Sequence, residues 1–204
     1  TETGIREELA QRGISRREFL KFCTVMAGTL ALPAEFASNI AHALETKKRL
    51  PVVWLEFQDC AGCTEAFLRA SRPTVAELVL DVLSVDYHET IMAAAGKQAE
   101  EAKKKTIEEG GYLVVVEGSI PTKDGGLHCC IGGHTALDIM KEAASKAIAV
   151  IAVGTCASFG GLPHASPNPT GAVGVREVVR GVPVINLPGC PVNVVNVTAT
   201  VVHY

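Results

Sequence analysis

The chain has 204 residues, enough for one α/β domain with a substantial core. Its hydrophobic content of 48% and charged content of 20% exclude a disordered chain, and a net charge of -3 with 5% aromatics excludes a basic, base-stacking nucleic-acid surface. Seven cysteines, widely and unevenly spaced, do not match the dense framework of a small disulfide-stapled protein.

Residues 1–43 read as a targeting segment rather than as part of the fold. Ser15-Arg16-Arg17-Glu18-Phe19-Leu20-Lys21 is a twin-arginine pattern. A weakly apolar run from Phe22 to Leu32 follows, and Ala41-His42-Ala43 offers a small-x-small cleavage site. A membrane-spanning helix is the competing reading, but Pro33 and Glu35 end the run short of the roughly 20 residues that a span requires. Twin-arginine export moves proteins already folded, often because a cofactor must be inserted in the reducing cytoplasm. The expected location is therefore the periplasm, and thiolates committed to a metal become a better reading than disulfides. Cys23 lies inside the leader and is set aside with it.

From residue 44 to residue 204 strand-like and helix-like stretches alternate as one domain. Pro51 to Phe57, short and apolar, predicts a first strand, and Thr64 to Ala70 a helix with Thr64 as its N-cap. The apolar run Val79 to Tyr87 is a second strand, and the Ala- and charge-rich stretch Ile91 to Glu109 a helix. Its Lys103-Lys104-Lys105 run reads as a solvated helix face. Tyr112 to Val116 predicts a third strand ending at Glu117-Gly118, followed by a loop with Pro121, Gly125 and Gly126 and a helix near Thr135 to Ala147. Ala149 to Val153 is a fourth strand, running into Gly154-Thr155-Cys156-Ala157-Ser158-Phe159-Gly160-Gly161. After a Pro-rich loop, Pro163 to Thr170, come a short helix from Val173 to Arg180 and a fifth strand, Val182 to Leu187, ending in Pro188-Gly189-Cys190-Pro191. Near-continuous apolar strands separated by helices predict a parallel sheet covered on both faces, a doubly wound, flavodoxin-like α/β fold.

In such sheets ligands bind outside the carboxyl ends of the strands. Cys60 and Cys63 follow the first predicted strand, Cys156 the fourth and Cys190 the fifth, while Glu117 closes the third. The spacing C-x2-C, x92, C, x33, C thus becomes one spatial cluster. Four thiolates suit a cubane iron–sulfur cluster or a structural zinc ion. Zinc sites favour paired Cys-x-x-Cys knuckles close in sequence, whereas here the third and fourth cysteines stand alone in Gly- and Pro-rich turns that offer backbone N–H groups and room for a bulky cluster. A third reading takes Gly154-Thr155-Cys156-Ala157-Ser158 as a nucleophile elbow of a cysteine-dependent amide hydrolase, although position 158 lacks the expected glycine and no histidine is marked as base.

Other residues carry weaker signals. Cys129 and Cys130 suit a buried packing role better than ligation, and His88, His128, His134 and His164, although able to ligate or to shuttle protons, read rather as hydrogen-bonding loop histidines. Walker-A and dinucleotide fingerprints are absent from the sequence.

The ordered motifs now assembled resemble the small subunit of a nickel–iron hydrogenase. The resemblance spans essentially the whole chain: the twin-arginine leader, Val52-Val53-Trp54-Leu55, Cys60-Ala61-Gly62-Cys63-Thr64-Glu65, and Ser84-Val85-Asp86-Tyr87-His88-Glu89-Thr90-Ile91-Met92-Ala93-Ala94-Ala95-Gly96. It continues through Val116-Glu117-Gly118, Gly154-Thr155-Cys156-Ala157, Pro167-Asn168-Pro169-Thr170-Gly171 and Pro188-Gly189-Cys190-Pro191. It implies that Cys60, Cys63, Cys156 and Cys190 hold a proximal [4Fe-4S] cluster facing a separate large subunit with the nickel–iron site. The chain would then carry electrons to or from an external carrier, cytochrome or quinone-linked, with no catalytic side chain of its own and no nucleic acid, and with membrane association through other subunits allowed.

Oxygen-tolerant members of the family have two extra cysteines at the proximal cluster, at positions held here by Gly62 and Gly161, which implies the standard oxygen-sensitive type. Glu117 is implied to lie near the cluster, with capping of a helix or loop as its alternative role. Val192 departs from the proline that many members have after Pro191. The resemblance also implies a further domain beyond residue 204 with medial and distal clusters, [3Fe-4S] and [4Fe-4S], so the chain is expected to be the N-terminal part of a longer protein.

Overall fold

The computed structural model describes residues 15–29, 33, 35, 37, 38, 41, 49–71, 73–78 and 82–203. His42 and Ala43 of the expected cleavage site, residues 30–32 of the apolar run and residues 79–81 of the second predicted strand lie outside the described residues. In chain order the strands are β1 (Leu50–Glu56), β2 (Leu83–His88), β3 (Tyr112–Glu117), β4 (Ile120–Pro121), β5 (Cys130–Ile131), β6 (His134–Thr135), β7 (Ala147–Val153), β8 (Ala172–Val173) and β9 (Val184–Leu187). The helices are α1 (Arg16–Thr29), α2 (Gly62–Leu68), α3 (Val75–Glu77), α4 (Lys97–Glu109), α5 (Ala136–Ala144), α6 (Gly154–Phe159), α7 (Gly161–His164), α8 (Val175–Val178) and α9 (Val194–His203). Two compact units share these elements: one comprises Pro51–Ala66 and Val85–Asn193, the other Phe67–Ser84, Val194–Tyr204 and the chain up to Leu50.

The first unit holds the body of a five-stranded sheet in the order β2-β1-β3-β7-β9. Counted over sheet strands alone this is 2-1-3-4-5, the doubly wound flavodoxin-like order. β1 with β3, β3 with β7 and β7 with β9 all pair in parallel. Central β3 is buried along its whole length, and so are the last five residues of β1 and of β7. A strand covered on both faces needs no polar alternation, which is why these segments are unbroken apolar runs. Ile107 of α4 and Ile139 and Met140 of α5 share one buried cluster with Val53, Val114 and Val150 of the sheet. Burying each such side chain stabilises the fold by about 1.5–3 kcal/mol. The Tyr112 hydroxyl donates to Ala143 O at 2.7 Å, tying the start of β3 to the end of α5, and burial pushes its phenol up to about 12.

Several predicted elements shift for identifiable reasons. α4 begins at Lys97, not Ile91, because Gly96 takes φ +56 and breaks helical continuity. α5 stops at Ala144 because Ala147 is already in β7, opposite Tyr112. The lysine run is not wholly solvated. Lys103 is buried, pairs with Glu100 at 2.7 Å and lies over the Tyr87 ring at 4.7 Å, while Lys104 and Lys105 are exposed. Thr64 is not an N-cap: α2 starts two residues earlier, with Glu65 N–H donating to Ala61 O, and Thr64 lies inside its first turn.

In the second unit α1 and α9 pack on one another. Cys23 and Ala27 of α1 and Val197 and Val201 of α9 are buried. α9 escapes sequence reading because its valines and threonines are β-branched and favour strands over helices. α1 opens with a capping box: Glu18 N–H donates to Ser15 Oγ at 3.3 Å, and Ser15 N–H donates to Glu18 Oε2 at 2.9 Å. Arg16 and Arg17 occupy the first turn behind it, both exposed. Among the described residues no helix is long and apolar enough to cross a membrane.

Candidate metal centre

Three loops leave the carboxyl edge of the sheet carrying cysteines. The turn after β1 delivers Cys60 and, inside α2, Cys63. α6, directly after β7, holds Cys156, and the turn after β9 holds Cys190. The loops are laced together: Thr155 N–H donates to Gly189 O at 2.9 Å, and Gly189 N–H donates to Thr155 Oγ1 at 3.2 Å. Glycine lets them approach. A methyl group at Gly154 would lie 2.5 Å from Cys63 Sγ and 3.5 Å from Gly189 O, so the β7 loop presses on both its neighbours. Similarly, one at Gly62 would meet Cys60 Sγ at 3.2 Å and Pro191 Cβ at 4.0 Å, and one at Gly161 would meet Cys156 Sγ at 2.5 Å.

The sulfurs act on one another electrostatically. Burial pushes the Cys63 thiol up to about 11 against the Val192 N–H that hydrogen-bonds it, and charge on Glu117, Cys60 and Cys156 adds to the rise. Burial also raises Cys156, against a hydrogen bond from Leu162 N–H, with contributions from Cys190, Cys60 and Asp59. A buried and a half-buried thiol so raised stay protonated unless a cation takes the place of the protons. None of the seven cysteines is in a disulfide.

Among the described residues, Glu56, Asp59 and Glu117 are the one set of three thiol, imidazole or carboxyl side chains whose ligand atoms all come within 4.8 Å of one another. No three of the four sulfurs do so. A single tetrahedral zinc would draw them to about 3.8 Å apart, from Zn–S bonds of about 2.3 Å. The wider spacing, the two N–H groups aimed at sulfur and the glycine-lined walls fit a cluster with its own bridging sulfides better than one ion.

Glu117 is the clamp on this arrangement. Its Oε1 accepts Cys63 N–H at 2.8 Å, and its Oε2 accepts Thr64 N–H at 2.8 Å and Thr64 Oγ1–H at 2.7 Å. The carboxylate therefore caps α2 from another strand, satisfying backbone donors that a helix start leaves unpaired. Capping and proximity to the thiols, alternatives in the sequence, are one role in space. Glu56 stands directly opposite Glu117 in the β1–β3 register, and its Oε1 lies 3.0 Å from the same Thr64 hydroxyl. Burial raises both carboxyls. Asp59 Oδ2 accepts Ala61 N–H at 2.9 Å, which holds Ala61, between the cysteines, at φ +56.

Sequence reasoning missed Glu56, Asp59 and Glu89, and took His88, which closes β2, for a loop residue. Its available signal was a lone acid in an apolar strand, Val52 to Phe57, at the register position of a second acid. His88 is fully buried and stacks on Trp54 at 5.0 Å, and burial lowers its imidazole to about 4. His128 pairs with Asp124 at 3.0 Å, His164 Nδ1 lies 2.6 Å from Ala172 O, and His134 forms part of the β5–β6 hairpin. Cys129 packs against the core as expected, its thiol pushed up by burial to about 11, but Cys130 is exposed rather than buried. The hydrolase reading finds no support, because a nucleophilic thiol needs a lowered pKa and Cys156 has a raised one.

The sequence model of the family described as "NADH ubiquinone oxidoreductase, 20 Kd subunit" matches residues 60–204. The chain is 49% identical over 204 residues to the periplasmic [NiFe] hydrogenase small subunit 1 of Nitratidesulfovibrio vulgaris (Hildenborough), covering 98% of this chain and 64% of that one. It is 45% identical over 203 residues to the hydrogenase-2 small chain of Escherichia coli K12, covering 98% and 55% respectively. Among solved structures, the recombinant [NiFeSe] hydrogenase of Desulfovibrio vulgaris Hildenborough superposes with a TM-score of 0.74 at 39% identity, over 77% of this chain and 59% of that one. The chain thus spans between about half and two thirds of the length of the curated relatives it matches.

Proposed function

The chain belongs to the NADH ubiquinone oxidoreductase 20 Kd subunit family and corresponds to the N-terminal part of nickel–iron hydrogenase small subunits, and on that premise we propose that it is the electron-transferring subunit of a hydrogenase, holding a proximal [4Fe-4S] cluster on Cys60, Cys63, Cys156 and Cys190. The observation that carries this reading is the set of four thiols on one sheet edge, electrostatically linked yet spaced too widely for one ion. When bound, the cluster supplies a one-electron carrier between the nickel–iron site of a large subunit, where hydrogen is split or formed, and an external acceptor. The chain's own part is to fix that carrier. Four thiolates bind it, Val192 and Leu162 N–H groups offset charge at two of the sulfurs, and Glu117 holds the helix that carries Cys63. No side chain here acts as acid or base in the hydrogen chemistry.

Phe159 and Leu162, 58% and 86% exposed, follow Cys156 on α6 and α7 and supply an apolar rim suited to a large-subunit partner. Gly62 and Gly161 bring no further thiol beside the sulfurs they touch, which supports a conventional cubane of the oxygen-sensitive kind. The twin-arginine sequence and the periplasmic location in the name of one relative support export of the folded chain to the periplasm. Medial and distal clusters belong, on this reading, beyond residue 204. Anaerobically reconstituted protein is expected to be brown, with four iron atoms per chain, and Cys156→Ser to lose most of the cluster absorbance. A colourless protein with one zinc ion would refute the assignment.

A further inference from the structure

We propose that Glu56 is a proton-holding site: a neutral carboxylic acid at pH 7 whose O–H donates to Thr64 Oγ1, so that Thr64 in turn donates to Glu117. The argument begins with a count of hydrogens. Thr64 Oγ1 lies 2.7 Å from Glu117 Oε2 and 3.0 Å from Glu56 Oε1, yet a hydroxyl has one hydrogen to give. If both acids were ionised, one contact would set two acceptors face to face in a buried place, at the cost of an unmade bond. One of the two acids therefore carries a proton.

The donors decide which one. Both Glu117 oxygens accept backbone N–H groups, from Cys63 and Thr64, and a backbone N–H cannot reverse its role. Those bonds favour the anion at Glu117. Among the described residues no backbone N–H is aimed at Glu56. Its Oε1 is met by the Thr64 and Thr90 hydroxyls, at 3.0 and 3.3 Å, and its Oε2 is buried without a hydrogen-bond partner.

Among the described residues no cation compensates Glu56. The imidazole of His88 is 3.7 Å from its Oε2, but Thr90 N–H donates to His88 Nδ1 at 3.3 Å. Nδ1 is thus an acceptor, the ring proton is on Nε2, and the ring is neutral. Among the described residues the remaining titratable groups that face Glu56 are acids: Asp59 from its own loop, Glu117 from β3, the phenol of Tyr87, and Glu89, whose Oε1 accepts Glu56 N–H at 3.4 Å. Lys103 of α4 is engaged with Glu100 at 2.7 Å. Burial raises Glu56, and the charges of Asp59 and Glu117 add to it, outweighing the two threonine hydroxyls. The chain Glu56–Thr64–Glu117 thereby has a fixed direction, and it spares the four-cysteine centre one negative charge.

This inference concerns residues beside the proposed cluster, but its test does not depend on cluster binding. Infrared spectra of the folded chain at pH 7, with and without cluster, are expected to show a protonated-carboxyl C=O band that shifts in D2O, is missing from Glu56→Gln and persists in Glu89→Gln, whose acid is itself partly protonated at that pH. The amide of that variant can donate to Thr64 as the acid does, so its fold is expected to persist by circular dichroism. In Thr64→Val the band is expected to remain but move to higher frequency, its hydrogen-bond acceptor gone. A wild-type spectrum without the band, or a band unchanged in Glu56→Gln, overturns the proposal. A band insensitive to Thr64→Val overturns the direction of the chain. If Glu56→Gln fails to fold, the wild-type band and its Thr64→Val shift decide alone. Failure of cluster reconstitution with the band present would count against the proposed function only.

Discussion

Gly154 shows how closely the thiols are fitted to the backbone around them. A methyl group there would lie 2.5 Å from Cys63 Sγ, and the residue takes φ +81, a region costly to side chains by about 1–2 kcal/mol. Gly154→Ala is therefore expected to cost about 2 kcal/mol or more by chemical denaturation and to displace the Cys63 sulfur. Cluster absorbance after reconstitution should fall by more than half, while far-ultraviolet circular dichroism shows the sheet intact. The sequence shows a glycine at this place but not why it is needed, because the atom it makes room for belongs to a residue 91 positions earlier.

At the level of elements, α2 has seven residues, too few to be stable by itself, and Glu117 on β3 supplies much of its anchorage. Glu117→Gln exchanges an acceptor of three bonds for an amide whose N–H2 faces N–H donors. It is expected to lower stability by about 2–3 kcal/mol in denaturant titrations and to weaken cluster retention. Glu89 gives a separate pH signature, with burial pushing its carboxyl from 4.5 up to about 7. Below pH 4.5 the folded and unfolded chains both keep that proton. Between pH 4.5 and 7 the unfolded chain releases it first, so stability falls as pH rises across that window. The expected loss is about 1–2 kcal/mol, reduced for the part of the carboxyl that water reaches, and Glu89→Gln should flatten the curve measured by denaturant midpoints. The strands that carry these acids were legible as buried apolar runs. The start of α2 was not, because Thr64 looks like a cap in sequence whereas the capping oxygens come from Glu117, 53 residues later.

On the scale of the whole molecule, the doubly wound parallel sheet was readable because near-continuous apolar runs alternate with helical stretches, and the convergence of Cys60, Cys63, Cys156 and Cys190 follows from their places after three of those runs. The surface around them was not readable, since exposure depends on which faces other elements cover. Leu162 and Phe159 remain uncovered beside Cys156. Phe159→Asp is expected to leave cluster absorbance unchanged and weaken association with the large subunit tenfold or more in a co-purification or titration assay, because a charge would be buried at the contact without a partner.

The parallel register aligns Glu56, Glu117 and Val153 in one row across β1, β3 and β7. Side chains alternate faces with a period of two, so this row acts as a length standard for the cysteine loops. Loss of one residue within β3 would turn Glu117 to the opposite face and shorten the reach of the turn after it, even if every cysteine were retained. Insertions in the Pro163 to Thr170 loop change no strand and leave that row in place. The chain's tolerance for added or missing residues is therefore set by counting along the strands, and the ligands themselves are silent about it.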